Sequence, residues 1–546
     1  VLGRSIRRLE DRPLLTGQGR FAADIGFPGQ LHMRVARSPV AFGRLLAIDI
    51  DAAQAMAGVA AVWTGRDVAA IPPIDFRQVR VPGLAPYRQP ILAQDFLRYV
   101  GEPLAVVFAD DAYLAEDAAE LVFAEIEELE PCLDATAEPG EFLPGASTEA
   151  AIVEKAYGDL EQAFAAAHAI VELKLAVGRH SGVPLETRGA IARYDPAGGL
   201  LELHGAAKIP HINRRALARM LGLPLERIHL YEGHVGGGFG IRGELYPEDV
   251  LVCLAALRLE RPVKWIEDRR EHLLAANHAR DQVHAIRAAV DARGFILGID
   301  DVFWTDQGAY VRTHAATVTD LTAAILPGPY VVPAYRSRGH IRLTNKTPCG
   351  TYRAPGRFEG TFVRERLIDA IAQCVGRSPL EVRRVNLIGP DAMPFARGVD
   401  ALGTEVVYDS GDYPALLERL LAHLGHADLE RQLALRRRQG ERVGFGLGMF
   451  VEKSGLGPFD DARVLLQADG GIEVVTGTAS LGQGVETVLA QICADALGAL
   501  PENIRVTHGR TDRIADGMGA FASRATVMAG SAVHLAAIDL RGKLLA

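Results

Sequence analysis

Five short segments combine glycine or small residues with polar side chains, and most of them directly precede a predicted helix. They are Ala206-Ala207-Lys208 and residues 235–240, 349–357, 482–484 and 517–524. Glycine-flanked loops that open into helices expose backbone N–H groups, and these groups bind phosphate together with the positive end of the helix dipole. Several such loops favour a ligand with more than one phosphate. A single glycine-rich loop is equally consistent with a tight, closely packed turn.

The same loops carry side chains that could add specific contacts. Gln483 offers amide N–H groups, Ser523 a hydroxyl and Arg524 a guanidinium. Phe239 lies among glycines, so its ring is predicted to present an apolar face to a ligand rather than to fill a core. Each side chain also has an ordinary structural explanation. Arg353 could form an ion pair at a strand end, and Ser523 could cap a helix.

A unit of strand, loop, helix and strand occurs twice and contains several of these loops. Its elements are predicted over residues 200–203, 212–221 and 228–230, and again over 472–475, 485–497 and 504–506. Gly222 and Gly498 end the two predicted helices in corresponding positions. In this alignment Lys208 corresponds to Gln483, with one residue of slack. Two related subdomains predict a ligand site in the cleft between them, although units of this kind also recur by chance.

The order of predicted strands and helices along the chain indicates an α+β protein with two regions. Residues 1–135 are typical of a compact α/β domain, residues 136–150 are a Pro- and Gly-rich linker, and residues 151–546 form the larger second region. Within the first region, strand patterns and helical periodicity fall at residues 31–37, 104–108 and 113–123.

The composition narrows the classes of function. The 546 residues carry a net charge of −9 and are 49% hydrophobic, so a large core is expected and a nucleic-acid partner is not. No apolar run approaches the roughly 20 residues that span a bilayer, and no signal-peptide pattern is present. We expect a cytoplasmic protein, with a periplasmic location as the alternative because the sequence opens at Val1 rather than Met.

The cysteines and the glycine loops exclude several common sites. The five cysteines are far apart and form no Cys-x-x-Cys pair, so buried free thiols are expected rather than a zinc site or an iron–sulfur cluster. The loop at 236–240 is not followed by Gly-Lys-Ser/Thr and does not match Gly-x-Gly-x-x-Gly. Neither a Walker loop nor a nicotinamide-binding loop is supported.

Taken together, several stretches resemble the molybdenum-binding large subunit of the xanthine dehydrogenase / aldehyde oxidase family. The resemblance runs through the whole chain and rests on an ordered combination, since no single motif is specific. The stretches lie at residues 12–21, 35–39, 98–103, 235–240, 261–269, 351–357, 482–484 and 497–533.

The resemblance implies an α/β-hammerhead domain up to about residue 135. The following region would have two halves that clamp a molybdopterin cofactor, in bacteria usually its cytosine dinucleotide form. The pterin holds the molybdenum, so no protein metal ligand is expected. The implied reaction hydroxylates an aldehyde or an N-heterocycle with water as the oxygen source. Because this chain lacks signals for [2Fe–2S] and FAD binding, an iron–sulfur subunit and an FAD subunit are the expected partners.

The resemblance also implies which residues lie near the metal centre. Phe239 is expected beside the metal, and Gly237, Gly238 and Gly240 are expected to line the same side. Arg353 is expected near the substrate or the metal centre. These five residues are therefore candidate catalytic and cofactor-binding residues.

Other residues are expected to hold the pterin or its phosphate. They are Gln483 with its neighbours Gly482 and Gly484, and Ser523. Lys208 stands where the family usually carries a Gln that donates a hydrogen bond to the metal centre. Lysine also donates, but as a point charge on a flexible stem, so Lys208 is a candidate catalytic residue with altered electrostatics.

Two further departures from the family pattern leave alternatives open. Ala354 stands where the copper-containing carbon monoxide dehydrogenases carry a copper-binding cysteine, so oxidation of carbon monoxide by that mechanism is disfavoured. The catalytic Glu of the family lies beyond the position of Ala546, so either a separate chain carries that part, or it has been lost, or the protein is not active. The competing hypothesis is a non-catalytic or assembly polypeptide that keeps the fold. A nicotinamide-dependent aldehyde dehydrogenase has no support.

Overall fold

Alternation of apolar and less buried residues produces β1 (Leu31–Arg37), an interior strand of the largest sheet. Leu31, Met33 and Val35 are buried, and the residues between them are half-buried, which is the period of two of a strand with one face in the core. The computed structural model describes residues 1–77, 81–205 and 208–546.

The strands are, in chain order, β1 Leu31–Arg37, β2 Gly43–Asp49, β3 Val59–Thr64, β4 Phe96–Leu97, β5 Pro103–Ala109, β6 Phe123–Glu128, β7 Glu141–Leu143, β8 Ala146–Ser147, β9 Glu149–Tyr157, β10 Ala169–Ser181, β11 Gly189–Asp195, β12 Leu200–Gly205, β13 Ile228–Tyr231, β14 Val263–Ile266, β15 His278–Val290, β16 Ile296–Asp306, β17 Ala334–Arg342, β18 Phe395–Ala401, β19 Thr404–Tyr408, β20 Ala462–Leu466, β21 Ile472–Thr476 and β22 Ile504–Thr507.

The helices are α1 Asp11–Leu15, α2 Asp51–Gln54, α3 Ala112–Glu120, α4 Leu160–Ala165, α5 Pro210–Leu221, α6 Pro247–Leu259, α7 Arg269–Ala275, α8 Ala315–Ile325, α9 Arg357–Cys374, α10 Pro379–Asn386, α11 Tyr413–Leu424, α12 His426–Arg438, α13 Val485–Leu497 and α14 Gly530–Leu545. A π-helical turn at Ala525–Ala529 runs directly into α14.

Three sheets organise the part of the chain that carries the predicted loops. The largest has the order β13-β12-β11-β14-β1-β5-β3, the second β10-β15-β16-β17-β9 and the third β20-β21-β22. The glycine loop connects β13, an edge strand of the largest sheet, with α6, which packs against β11 and β14. Buried apolar residues on both faces of β5 and along α6 form the core of this layer.

The largest sheet crosses the predicted division of the chain. Strand β1, from the N-terminal region, pairs in parallel with β14 through Leu31 and Val263. The segment predicted as a linker contains the short β7–β8 pair, and β9 begins at Glu149. The division at residues 135 and 150 stays a prediction, because a shared sheet is compatible with either one or two domains.

Both predicted strand–helix–strand units are present, and the predicted α+β class is confirmed. Strands β12 and β13 pair in parallel around α5, and β21 and β22 pair in parallel around α13. Gly222 and Gly498 adopt the left-handed conformation at the ends of the two helices, as predicted. Lys208 and Gln483 each lie two residues before the first residue of their helix.

Two sequence expectations need correction. The predicted helix at 113–123 ends at Glu120, and Phe123 instead begins β6, which pairs with β2 through Asp49. Cys374 is exposed, so the expectation of buried thiols is wrong for that residue. Across the described ranges, no helix is long and apolar enough to cross a membrane.

Candidate functional site

The glycine loop at 236–240 is held by the backbone of the loop around Arg353. The amide of Arg353 donates to the carbonyl of Phe239 at 2.8 Å. Gly240 has φ +123°, and a Cβ there would lie 2.1 Å from the carbonyl oxygen of Thr351. Phe239 itself has φ +51° and a 47% exposed side chain, so its ring faces outward from this pair of loops. Glycine at 240 is therefore required by close loop packing.

The loop at 481–484 comes from the other strand–helix–strand unit and packs against the same glycine loop. A Cβ on Gly238 would lie 2.9 Å from the Leu481 side chain, and a Cβ on Gly482 would lie 3.1 Å from the carbonyl oxygen of Val235. Gly237, with φ +100°, has room for no side chain beside the Phe239 ring. The two units therefore meet through their loops, as the predicted cleft requires.

The Gln483 side chain is engaged with its own loop. Its Nε2 donates to the Ala479 carbonyl at 3.1 Å, and its Oε1 accepts from the Leu481 amide at 2.5 Å. Gly484, with φ +80°, caps α13, and the amide of Thr487 in the first turn donates to Glu10 at 3.1 Å. A carboxylate of the chain thus already occupies part of this helix N-terminus. Direct contact of Gln483 with a cofactor stays a prediction.

The loop at 517–524 packs on Lys208. The amide of Ala520 donates to the Lys208 carbonyl at 3.0 Å, and a Cβ on Gly519 would lie 2.3 Å from the same oxygen. Ala206 and Ala207, predicted with Lys208 as one loop, lie outside the described residues. Within the described part of the chain, no acceptor binds the Lys208 ammonium.

The side chain of Ser523 is free to bind a ligand, whereas that of Arg524 is not. Ser523 is exposed with φ +51°, and none of the described residues hydrogen-bonds its hydroxyl. Arg524 is fully buried and forms an ion pair with Asp460 at 2.6 Å. The interpretation of Arg524 as an anion-binding guanidinium is therefore wrong, because Asp460 and the carbonyl of Leu456 already use its donors. Ser523 is not a helix cap, since Arg524 occupies the N-cap position of the turn that follows.

Arg353 is exposed, and its guanidinium has no partner among the residues described. Its carbonyl accepts from Arg280 at 2.6 Å, and Arg280 in turn pairs with Glu359 at 3.0 Å. The Arg280 guanidinium also lies 4.8 Å from the Tyr352 ring. The ion pair at this place is formed by Arg280 rather than by Arg353. The Arg353 guanidinium can therefore bind a ligand.

Sequence reasoning missed three residues that surround Lys208. His314 Nδ1 hydrogen-bonds Glu244 Oε1 at 3.1 Å, and Arg77 contacts the other ring nitrogen of His314. Burial and the Arg77 charge lower the pKa of Lys208 to about 8 and that of His314 to about 4. Although burial alone would raise the pKa of Glu244, His314 and Arg312 lower it to about 2. Glu244 follows the glycine loop closely in sequence, but no motif connects it to Arg77 or His314.

A buried histidine joins the two units at the seam behind the loops. His508 Nδ1 lies 3.2 Å from Glu232, which follows β13, and its Nε2 lies 2.9 Å from Glu486 in α13. The seam continues through Leu230, whose amide donates to Thr511 Oγ1 at 2.8 Å. Burial alone would lower the pKa of His508, but hydrogen bonds to the two carboxylates outweigh it and raise the pKa to about 9.

This arrangement predicts a loss of stability in mildly alkaline solution. The folded pKa of His508 lies above its ordinary value of 6.5, so the stabilisation is complete below pH 6.5 and is lost as the pH rises through about 9. This difference between the two pKa values corresponds to about 3 kcal/mol in the free energy of unfolding. We expect urea unfolding to show the wild type losing stability between these values while His508→Gln changes little. Exposed His168→Gln is the control. An equal slope in His508→Gln and wild type would contradict the assignment.

Family models match most of the chain. The model of the molybdopterin cofactor-binding domain matches residues 145–387, and a second model of the same description matches 419–546. The model of the aldehyde oxidase and xanthine dehydrogenase a/b hammerhead domain matches residues 16–130. Among the described residues, no group of three or more His, Cys, Asp and Glu side chains could hold a metal ion.

Several known proteins are similar over nearly the whole chain. The 6-hydroxypseudooxynicotine dehydrogenase complex subunit gamma of Paenarthrobacter nicotinovorans is 42% identical over 98% of this chain and 68% of its own length. The nicotine 6-hydroxylase large subunit of the same organism is 35% identical, over 100% and 68%. The crystal structure of quinoline 2-oxidoreductase from Pseudomonas putida 86 matches with a TM-score of 0.93 and 36% identity, over 99% of this chain and 70% of that chain.

Proposed function

Because the chain belongs to the xanthine dehydrogenase / aldehyde oxidase family of molybdopterin-dependent oxidoreductases, we propose that it is the cofactor-binding large subunit of an enzyme that hydroxylates an N-heteroaromatic ring. The observation that carries the proposal is that the loop at 481–484 and the loop around Arg353 both pack against the glycine loop that carries Phe239. The three similar proteins described above are named for 6-hydroxypseudooxynicotine, nicotine and quinoline, which supports an N-heterocycle over the aldehyde alternative.

The residues at the loops fit a molybdopterin cofactor. Such a cofactor is anionic and rich in hydrogen-bond acceptors, and the loops present donors that the described chain leaves unused. These donors are the Arg353 guanidinium, the Lys208 ammonium and the Ser523 hydroxyl, together with the buried Arg77 Nε. A buried cation without a partner costs free energy, so an anionic ligand at this place would stabilise the site. The pterin, not a protein ligand set, would carry the metal.

We assign separate roles to the side chains around the cofactor. When bound, the molybdenum cofactor supplies a two-electron oxidant and activates water at neutral pH. Phe239 presents an apolar ring that excludes bulk water and supports the flat face of a ring substrate. Arg353 donates hydrogen bonds that orient the substrate and stabilise negative charge developing on it. Lys208 donates from beside Gly243, with an ammonium whose pKa is lowered to about 8 by burial and by Arg77.

We propose the cytosine dinucleotide form of the cofactor, and transfer of electrons to [2Fe–2S] and FAD centres on partner subunits. The similar proteins are a complex subunit and a large subunit, and both are longer than this chain, which spans 68% of each. The proposed location is the cytoplasm.

The test uses the complex purified natively from its source. We expect it to hydroxylate a pyridine substrate with an artificial electron acceptor, and to incorporate oxygen from isotopically labelled water into the product. An aldehyde tested in parallel separates the two substrate classes. A complex that holds its partner subunits but oxidises neither class would support the competing hypothesis of a non-catalytic polypeptide.

Replacement of Phe239 by alanine separates function from folding. The side chain is 47% exposed, so we expect the free energy of unfolding to change by less than about 1 kcal/mol. We expect kcat/KM for the ring substrate to fall about 10- to 100-fold, because the aromatic face is lost. Phe123→Ala, at a 66% exposed phenylalanine on β6, is the matched control. Unchanged kcat/KM in Phe239→Ala would rule out contact between this ring and the substrate or cofactor.

A further inference from the structure

Three basic side chains from distant segments converge on Gly243, directly after the glycine loop. Arg77 Nη1 donates to the Gly243 carbonyl at 2.9 Å. A Cβ built on Gly243 would lie 3.6 Å from Lys208 Nζ and 3.5 Å from His314 Cε1. These are ordinary van der Waals distances, so there is room for one atom on Gly243 beside the Lys208 and His314 side chains. An atom at this point would lie beside a lysine ammonium.

The cluster carries excess positive charge. Arg77 and Lys208 are half-buried cations, and Glu244 is the carboxylate that faces them. Glu244 is already neutralised by Arg312, whose Nε donates to it at 2.9 Å. His314 is neutral near pH 7, because burial and Arg77 lower its pKa to about 4. Among the residues that the structure describes, two cations therefore lack a counter-charge in a place largely shielded from water, which is costly unless a ligand supplies one.

Hydrogen bonds from Glu244 through His314 hold the Arg77 guanidinium in place. With Nδ1–H donating to Glu244, the His314 ring leaves its other nitrogen as the acceptor for Arg77. This contact fixes the Arg77 guanidinium 5.6 Å from the Phe521 ring, in the loop that also binds the Lys208 carbonyl. Arg77 Nε is buried and has no partner among the described residues. Glu244 and His314 therefore position Arg77, while Arg77 and Lys208 keep free donors.

We propose that Arg77 and Lys208 form an oxyanion subsite at Gly243, with His314 and Glu244 as positioning residues. The ligand is an anionic oxygen, either a carboxylate or ring oxyanion on the substrate or a phosphate of the cofactor. The location of the subsite, beside the cofactor, rests on the proposed function. Its preference for an anionic oxygen follows from the charges of Arg77 and Lys208 alone. It selects ring substrates that carry an anionic oxygen over neutral analogues, because a buried donor left unpaired costs affinity.

Calorimetric titration of the natively purified complex with benzoate and with neutral benzamide tests the subsite. We expect benzoate to bind at least about tenfold more tightly than benzamide. Lys208→Met and Gly243→Ala should each weaken benzoate about tenfold and leave benzamide unchanged. Gly243→Ala fills the space without backbone strain, since its φ is not left-handed. Lys174→Met, on the exposed face of β10, is the control.

The pH dependence provides a second readout. We expect benzoate affinity to fall as the pH rises through about 8, where Lys208 loses its proton, while Arg77 keeps its charge because its pKa is about 10. Lys208→Met should show no such fall. A merely structural role of Lys208 would not produce this difference between the two titrations.

Cofactor content distinguishes the two sources of the oxyanion and separates this inference from the proposed function. If Lys208→Met and Arg77→Met lose the bound nucleotide while benzoate and benzamide bind wild type alike, the cofactor supplies the anion. If both variants keep wild-type benzoate affinity and full cofactor content, the subsite is refuted. A wild-type complex without molybdenum would refute the proposed function, while its benzoate titration would still report on the subsite.

Discussion

Gly240→Ala is expected to abolish most of the hydroxylase activity. The new Cβ would lie 2.1 Å from the Thr351 carbonyl oxygen and 2.9 Å from the Tyr352 Cα. Both are backbone atoms and cannot rotate away, so either the glycine loop or the Arg353 loop must move. Displacement of catalytic groups by about 1 Å costs about 100-fold in rate, and we expect a loss of kcat/KM of at least that size.

A matched glycine separates the steric effect from backbone strain. Gly498, at the end of α13, also has positive φ, but a Cβ there would meet nothing within 4 Å. We expect Gly498→Ala to cost about 1–2 kcal/mol in the free energy of unfolding and to leave kcat/KM unchanged. Gly240→Ala with wild-type kcat/KM and wild-type thermal stability would show that the two loops do not depend on their close packing.

Arg188→Met is expected to destabilise the fold more than substitution of an exposed charged residue. The Arg188 guanidinium donates to Glu267 at 3.0 Å and to Glu248 at 3.2 Å, and all three side chains are buried. Although burial alone raises the pKa of Glu267, Arg188 and His272 lower it to about 2. Removal of the guanidinium takes a cationic partner from two buried carboxylates and leaves Glu248 with Arg37 and Glu267 with His272, which costs about 3–5 kcal/mol.

The effect should reach the N-terminal region, because Glu248 also binds Arg37 of β1 at 2.6 Å. Urea unfolding should show the loss as a lower midpoint with an unchanged slope. The control is Arg193→Met on β11, which breaks a half-exposed pair with Glu202 and should cost less than about 1 kcal/mol. A difference of less than about 1 kcal/mol between Arg188→Met and wild type would refute the buried network as a source of stability.

Much of the fold follows from local sequence signals. β1 has the predicted bounds, and both strand–helix–strand units end their helices at the predicted glycines. The exception at Phe123 has a physical cause. Its apolar periodicity continues that of α3, but pairing of β6 with β2 gives residue 123 a strand partner and overrides the helical pattern.

The candidate site was only partly predictable from the sequence. The loops around Phe239, Arg353 and Lys208 were identified because glycine and helix starts are local features. The pairing of Arg524 with Asp460 and the contact of Arg77 with His314 join residues far apart in the chain, and no local pattern encodes them. The guanidinium available to a ligand is therefore that of Arg353, and the extra positive charge comes from Arg77.

The central claim is that loops from both units form one molybdopterin site. The most direct test is the molybdenum content of the natively isolated complex. Metal analysis should be combined with quantification of the cytosine nucleotide released on denaturation. We expect both to be equimolar with this chain in the wild type and strongly reduced in Gly240→Ala. A folded complex with its partner subunits bound, but with neither molybdenum nor pterin nucleotide, would contradict the claim.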